Sequence, residues 1–297
     1  MKRQETATAN TIYFALSKMK TLSCIFYFLL LSHLGFSQIN ISGTVKDNST
    51  QQSIPFASIG VVGTLQGTLS DEKGNFELSI QHITDTDTIR ISSIGFSNLS
   101  VTSSEVKKKQ DKIFYLKSMS YDLSEVKVKP KNLGYKILGT SNYSKNVCTA
   151  FIGENNNWRG EQAAIQANNK EGITVYIESF NFYIIKNEYA DSLQFRIMLY
   201  EVNTKGYPGE TFLKKPIVFK TNVKQGEVQI DLKDYLISTT GDFFISLECL
   251  EEKMESSKFC FAGSIKVPSF CKTSAFGSWH RVKGGGGDFN VKVSYVK

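Results

Sequence analysis

The stretch that decides the fold is residues 63–78, GTLQGTLSDEKGNFEL, in which a turn leads into alternating apolar and polar positions. Every second residue after the turn is apolar, at Phe76, Leu78 and Ile80. This period is typical of a strand with one buried face. Asp71 to Gly74 has the composition of a hairpin turn whose glycine can take a positive φ. We expect a side chain at Gly63 or Gly67 to crowd the tight connection between them.

The same period of two recurs along the chain and predicts a nearly all-β protein. The alternating sets are Ile41, Gly43, Val45; Leu193, Phe195, Ile197, Leu199; Val228, Ile230, Leu232; Phe243, Ile245, Leu247, Cys249; and Phe289, Val291, Val293, Tyr295. No window of a dozen residues carries a convincing helical stripe. Of the 297 residues, 41% are hydrophobic and 12% aromatic, which is the composition of a folded globular protein.

Residues 41–116 resemble the carboxypeptidase-regulatory-like domain common in envelope proteins of Bacteroidetes. The motifs that carry the resemblance are Gly43, Val45, Asp47; Pro55, Ala57, Ile59; the block Gly63 to Leu78; and the step Ser92 to Phe96. The resemblance implies a transthyretin-like, seven-stranded β-sandwich. It does not imply a carboxypeptidase, because that reaction needs zinc held by His and Glu ligands. The only histidines beyond residue 37 are His82 and His280, so we predict no metal, no cofactor and no catalytic residues.

Residues 1–37 have the pattern of a secretory signal peptide. Lys18 and Lys20 precede an apolar run, Leu22 to Phe36, that is shorter than the roughly 20 residues of a membrane-spanning helix. Translation could start at Met1 or at Met19. We therefore predict an exported protein that does not span the membrane and is periplasmic, outer-membrane-associated or extracellular.

The charge balance does not indicate a nucleic-acid-binding protein. Without residues 1–37 the chain keeps 31 basic against 27 acidic residues, a small excess for its length. The run Lys107 to Lys109 is interpreted as solvated surface.

The composition divides the exported chain into two modules. Residues 129–145 carry charge, proline and glycine without a period and are predicted to be a linker between modules at 38–128 and 146–297. We expect few contacts to cross it. The second module loosely resembles the jelly-roll domains of similar exported proteins, so a larger jelly-roll-like sandwich is predicted. The glycines at 284–287 favour a flexible hairpin.

Residues 122–128, DLSEVKV, resemble the segment that follows this domain in TonB-linked outer-membrane receptors. About 165 residues after it cannot build the plug and barrel of such a receptor. The simpler interpretation is a last strand of the first module, built on Leu123, Val126 and Val128.

Trp279, His280 and Arg281 are the candidate ligand-binding residues. A ring, a hydrogen-bond donor and a fixed cation within three positions suit a sugar, which stacks its C–H face on an aromatic ring. The alternative is a tryptophan in the core, with His280 facing solvent. Four glutamates could in principle serve glycoside hydrolysis, although the sequence cannot show their separation: Glu248, Glu251, Glu252 and Glu255.

The cysteines beyond residue 37 are Cys148, Cys249, Cys260 and Cys271. An even number in an exported chain permits disulfides in three connectivities. Cys249 shares the core face of its strand, and the preferred pair is Cys260 with Cys271 across a short loop. Four reduced thiols are the alternative.

These features predict a non-enzymatic envelope protein that docks other envelope proteins, with an outer-membrane receptor system as a candidate partner. Glycan binding by the second module is the alternative, and a glycoside hydrolase is the second alternative. An unpaired edge strand would favour docking, and an exposed aromatic strip would favour glycan binding.

Overall fold

The computed structural model describes residues 38–119, 132–140, 143–151, 158–264, 267–282 and 286–297. The predicted signal peptide and the segment 122–128 lie outside these residues. Within them, the predicted all-β class is confirmed. One short α-helix, α1, spans Ser103–Lys108. No helix in the described ranges is long and apolar enough to cross a membrane.

The first module is a sandwich of two sheets with seven strands in its described residues. Its strands are β1 (Gln38–Asp47), β2 (Ser58–Val61), β3 (Gly67–Leu69), β4 (Asn75–Gln81), β5 (Thr88–Ser92), β6 (Leu99–Thr102) and β7 (Ile113–Leu116). One sheet has the order β4-β1-β7, with β1 and β7 parallel, and the other has the order β3-β2-β5-β6. Val45, Ile59 and Ile91 are fully buried in its core.

The second module is also a sandwich, with sheets of seven and eight strands. Its strands are β8 (Leu133–Gly139), β9 (Cys148–Thr149), β10 (Gln162–Ala167), β11 (Val175–Asn187), β12 (Leu193–Val202), β13 (Pro208–Thr211), β14 (Ile217–Thr221), β15 (Gly226–Asp231), β16 (Ser238–Thr239), β17 (Phe243–Cys249), β18 (Phe259–Ser264), β19 (Ser269–Lys272), β20 (His280–Val282), β21 (Gly286–Gly287) and β22 (Phe289–Val296). A 3-10 helix spans Lys233–Tyr235.

The two sheets of the second module share a core of phenylalanines. The seven-stranded sheet has the order β13-β12-β17-β10-β19-β20, with β14 beside β12, and the eight-stranded sheet has the order β21-β18-β11-β22-β8. Phe195 of β12 stacks on Phe259 of β18 with ring centroids 5.5 Å apart, and Phe261 meets Phe289 at 5.3 Å. The inward alternation of the large side chains on these strands therefore builds the core, as their sequence pattern predicts.

The segment predicted to be a linker contains a strand of the second sandwich. Strand β8 lies inside residues 129–145 and pairs with β22 along its whole length, from Leu133 opposite Val296 to Gly139 opposite Asn290. The second sandwich therefore begins before residue 146. The sequence did not reveal this strand because its two glycines resemble turn residues. In the structure they lie in the ladder, where atoms of β22 closely approach their backbone.

Contacts also cross between the modules, against the expectation of few. Phe56, Leu69, Leu250 and Ala275 form one buried cluster, against which Phe276 packs. A Cβ atom at Gly60 of β2 would lie 2.5 Å from Cγ of Phe276, so the ring rests directly on the backbone of the first module. Arg196 Nη1 donates to the Phe56 carbonyl oxygen at 2.7 Å. The outer face of the seven-stranded sheet is thus partly covered by the first module.

Three predicted turns can be compared with their geometry. Gly74 has φ +79°, and the Asp71 carboxylate accepts from the backbone N–H groups of Lys73 and Asn75, which closes the hairpin as predicted. Gly63 is not crowded: no atom lies within 4 Å of a Cβ built there, and its φ of +80° is what requires glycine. Gly286 and Gly287, predicted to lie in a flexible hairpin, are buried in β21 beside β18.

Candidate functional site

The first module has a lateral groove between its two sheets, at the side where β6 and β7 are the last strands. Eight residues line a cavity of about 240 Å³ there: Leu99, Val101, Glu105, Val106, Lys109, Ile113, Phe114 and Tyr115. Leu99 and Val101 of β6 are half-buried, and Tyr115 is 37% exposed. We call this cavity the lateral groove. Most of its lining is apolar, and it is partly open to solvent along β6 and β7.

Strand β7 offers backbone hydrogen-bonding groups to the lateral groove. Its ladder with β1 is fixed at both ends, where Thr44 N–H donates to the Lys112 carbonyl and Asn48 N–H donates to the Leu116 carbonyl, each at 2.9 Å. Since bonding alternates along a strand, the N–H and C=O groups of Ile113 and Tyr115 point away from β1. An extended peptide can pair with this edge.

Helix α1 closes one end of the lateral groove. Thr102 and Glu105 form a capping box, in which the Thr102 hydroxyl accepts from the Glu105 N–H and the Glu105 carboxylate accepts from the Thr102 N–H. The backbone N–H of Thr102 lowers the pKa of Glu105 below its ordinary value. Val106, a residue of this helix, is buried. The cap therefore fixes this short helix against the floor of the groove.

The rim of the lateral groove is basic. Lys107 and Lys108 lie in α1, Lys109 follows the helix, and Lys112 and Lys117 flank β7, against the carboxylates of Asp85, Glu105 and Asp111. Lys107 pairs with Asp85 at 2.7 Å, and Lys109 pairs with Asp111 at 2.8 Å while its Nζ lies 5.9 Å from the Phe114 ring. The run interpreted as solvated surface is exposed at Lys107 and Lys108, and it borders the candidate site.

The three residues predicted to bind a ligand lie at the edge of the second module. His280 and Arg281 are exposed on β20, whereas Trp279 is half-buried and packs against the core. The Trp279 ring meets Tyr200 edge-on with centroids 5.5 Å apart, and Lys272 Nζ lies 5.5 Å above it. Neighbouring side chains therefore already occupy the ring on which a sugar would stack. The prediction of a glycan site at these residues stays untested.

A row of polar side chains crosses four strands beside Trp279. Arg196, Glu248, Gln162 and Lys272 are successive cross-strand neighbours on β12, β17, β10 and β19. Glu248 accepts from Arg196 and, at 3.0 Å, from Gln162 Nε2; the Gln162 oxygen accepts from the Tyr200 hydroxyl at 2.7 Å. Burial raises the pKa of Tyr200 and lowers that of Lys272. Arg196, Glu248, Gln162 and Tyr200 are thus joined in one hydrogen-bonded network, while Lys272 Nζ donates to the Ala275 carbonyl oxygen at 3.0 Å.

The cysteine pairing differs from the prediction. The structure bonds Cys260 to Cys148, whereas Cys249 and Cys271 are free thiols. The predicted pair Cys260–Cys271 is therefore wrong. Cys148 lies on β9, directly beside β18, while β19 with Cys271 belongs to the opposite sheet.

The Cys271 thiol is not activated as a nucleophile. It lines a cavity of about 50 Å³ together with Glu161 and Thr273. Burial, and secondarily the Glu161 carboxylate, raises the pKa of this thiol above its ordinary value, which disfavours the reactive thiolate.

The candidate carboxylates for hydrolysis are each engaged separately. Glu248 pairs with Arg196, Glu252 with Arg159 at 2.8 Å and Glu255 with Lys258 at 2.6 Å, while Glu251 accepts from the Gln194 N–H at 2.7 Å. In the part of the chain that the structure describes, no three His, Cys, Asp or Glu residues are grouped to hold a metal ion.

The class of the first module is defined by this seven-stranded sandwich together with its turn motifs. Residues 41–128 match the family model of the CarboxypepD_reg-like domain, so the N-terminal module is a domain of that family. The sequence resemblance is thereby confirmed.

No curated protein matches the chain in sequence. Among solved structures, the cysteine protease and lectin-like domains of Cwp84, a surface layer associated protein of Clostridium difficile, align at TM-score 0.36 and 8% identity, covering 88% of this chain and 59% of that one. The infectious bursal disease virus VP2 subviral particle aligns at TM-score 0.25 and 9% identity, covering 87% and 64%. The chain thus spans less than two thirds of either structure. At such scores the alignments do not define a shared fold.

The sequence did not indicate the lateral groove. The sequences of β6 and β7 are compatible with strands. Their positions at the ends of the two sheet orders, however, depend on long-range pairing, which the local sequence does not show. The one local signal was the lysine run next to the apolar segment 113–116.

Proposed function

We propose that the protein is a non-enzymatic, exported docking protein of a bacterial cell envelope, periplasmic or associated with the outer membrane. Its CarboxypepD_reg-like module binds an extended segment of a partner envelope protein. The observation that carries this proposal is the lateral groove, where the outer edge of β7 has no strand partner among the described residues and adjoins an apolar cavity. Export is inferred from the signal-peptide pattern of residues 1–37.

The chemistry of the groove specifies the partner segment. Its backbone pairs with Ile113 and Tyr115, and an apolar side chain enters between β6 and β7. Acidic residues on either side of that apolar position complement the five lysines of the rim. A segment of an outer-membrane receptor system is the partner class that agrees with the sequence expectation.

The alternative functions have less support. At Trp279, the candidate glycan-binding residue, Lys272 and Tyr200 already contact the ring. Hydrolysis would require two of the separately paired glutamates to face each other across a cleft.

Site-specific photocrosslinking in cells tests the docking proposal. A photoreactive phenylalanine analogue replaces Ile113 in the groove or, as a control in the same module, Leu65, whose side chain is 56% exposed. We expect a crosslink to an envelope protein from position 113 only, in a peptide that has acidic residues around an apolar one. Equal crosslinking at both positions, or none at 113, would contradict the proposal.

A second arm blocks the strand edge. Tyr115→Pro removes an N–H group that points away from β1, so the module keeps its ladder but cannot pair with a peptide. The crosslink from position 113 should be lost. A crosslink that persists in Tyr115→Pro would show that strand pairing is not the mode of binding.

A further inference from the structure

The eight-stranded sheet of the second module ends in a long apolar edge. Strand β8, with the sequence LGYKILG, has β22 on one side and, in the part of the chain that the structure describes, is the last strand in the sheet order. Tyr135 is 56% and Ile137 is 49% exposed on its outer face. Natural edge strands are usually short, charged or broken by proline, because an unprotected edge pairs with other chains. This strand has seven residues with a single charge.

The direction of the free backbone groups of β8 follows from the bonds at its two ends. Lys297 N–H donates to the Asn132 carbonyl at 3.2 Å, and Thr140 N–H donates to the Phe289 carbonyl at 2.9 Å. In an antiparallel ladder, alternate residues turn both groups toward the same neighbour. The even-numbered residues therefore bond to β22. The odd-numbered residues, which are Leu133, Tyr135, Ile137 and Gly139, direct their N–H and C=O groups outward.

We propose that two copies of this chain associate through their β8 strands, which pair antiparallel about a two-fold axis at Lys136. Tyr135 of each copy then lies opposite Ile137 of the other, and Leu133 lies opposite Gly139. In this register the outward-facing groups of both strands meet, so all four odd-numbered residues pair with their counterparts. The sheets of the two copies become continuous.

The side chains of β8 complement themselves in this register. Each large residue meets a small one or forms an aromatic–β-branched pair: Leu133 with Gly139, Leu138 with Gly134, and Tyr135 with Ile137. The charge at the axis is compensated within each copy, since Lys136 Nζ binds Glu171 Oε2 at 3.0 Å and lies 3.3 Å from Asn169 Oδ1. This self-complementarity favours a second copy over an unrelated strand as the occupant.

Sedimentation over a range of concentrations tests the association. The measured mass of the exported chain should increase from that of one copy toward that of two copies as the protein concentration increases. Ile137→Pro removes an outward N–H group, keeps the bonds to β22, and should keep the protein monomeric at every concentration. Tyr115→Pro, which blocks the edge of the other module in the same way, is the matched control and should dimerise like the unmodified chain.

A disulfide scan tests the register. Residues at position 136 face each other across the axis as a non-hydrogen-bonded pair about 4.5 Å apart, within the range of a disulfide. Lys136→Cys should therefore form a covalent dimer on oxidation. Ile137→Cys should not, because the two positions are offset along the strand beyond the roughly 7 Å limit.

An unmodified chain that stays monomeric at all concentrations would overturn the proposal. So would dimers that form equally in Ile137→Pro, or crosslinking at 137 instead of 136. None of these outcomes bears on the lateral groove, which lies in the other module.

Discussion

Arg196 and Glu248 form a buried pair with side chains only 5% and 1% exposed. Glu248→Leu should cost about 3–5 kcal/mol of unfolding free energy, because it leaves the arginine charge buried without its carboxylate. The double change Arg196→Met, Glu248→Leu should recover much of that loss. Chemical denaturation of the three proteins measures both effects.

An exposed pair supplies the control for this experiment. Lys220 and Glu72 lie 3.0 Å apart with side chains 57% and 61% exposed. Lys220→Met should leave the unfolding free energy nearly unchanged, since solvent screens the pair. An equally small effect of Glu248→Leu would mean that the buried row does not hold the sheet.

The cysteines give a second prediction at the residue scale. Peptide mapping without reduction should recover one disulfide, Cys148–Cys260, with thiols at Cys249 and Cys271. At pH 8 the native Cys271 should react with iodoacetamide more slowly than the same residue in guanidinium chloride. Its raised pKa leaves less thiolate at any pH below that pKa, and unfolding restores the ordinary value. A peptide that joins Cys260 to Cys271 would contradict the structure.

The cysteines also show how far the sequence pattern reaches. Alternation correctly placed Cys249 in the core. It could not find Cys148, which is 112 positions from its partner on a two-residue strand without a period of its own. Short spacing favoured Cys271, although that residue lies on the other sheet.

At the scale of the element, β8 is the strand that the sequence concealed. Its large residues Tyr135 and Ile137 face solvent, whereas Leu138 is buried on the inner face. Two of the three central inner-face positions are Gly134 and Lys136. The larger apolar residues of β8 therefore lie on the outer face, which is the opposite of the pattern that reveals the other strands. In the first module, by contrast, the family resemblance implied seven strands, and the inward apolar residues of β1 and β4 agree with it.

A pair of substitutions distinguishes a strand from a linker at this position. Leu138→Ala should cost about 2–5 kcal/mol, as for other large-to-small changes in a core. Ile137→Ala, one residue earlier but 49% exposed, should cost much less. Thermal melting of both variants gives the comparison. Equal, small shifts for the two would support the original interpretation of residues 129–145 as a linker.

At the scale of the whole molecule, the contact between the modules was the least predictable feature. The charge and proline at 129–131, on which the predicted linker was based, carry no information about what the loop after β19 touches. The burial of β17 reflects this contact. Every position of β17 is buried, although its sequence pattern predicts one polar face. A strand of an antiparallel sheet that is buried on both faces requires a covering layer.

Gly60 and Phe276 test whether the two modules act as one unit. A Cβ atom at position 60 would press on the Phe276 ring, so Gly60→Ala should destabilise the protein by about 1–3 kcal/mol. Gly241→Ala is the control, because no atom lies within 4 Å of a Cβ built there. In the background Phe276→Ala, the penalty for Gly60→Ala should shrink, with a coupling of about 0.5–3 kcal/mol in the double-mutant cycle.

Calorimetry of the same variants shows how this contact links the modules. The unmodified chain should unfold in one transition, because Phe56 and Leu69 share a buried cluster with Leu250 and Ala275. Phe276→Ala weakens the packing against that cluster, so the transition should broaden or separate into two. Strictly additive effects at positions 60 and 276, together with two transitions in the unmodified chain, would mean that the modules fold independently and that the contact contributes nothing to stability.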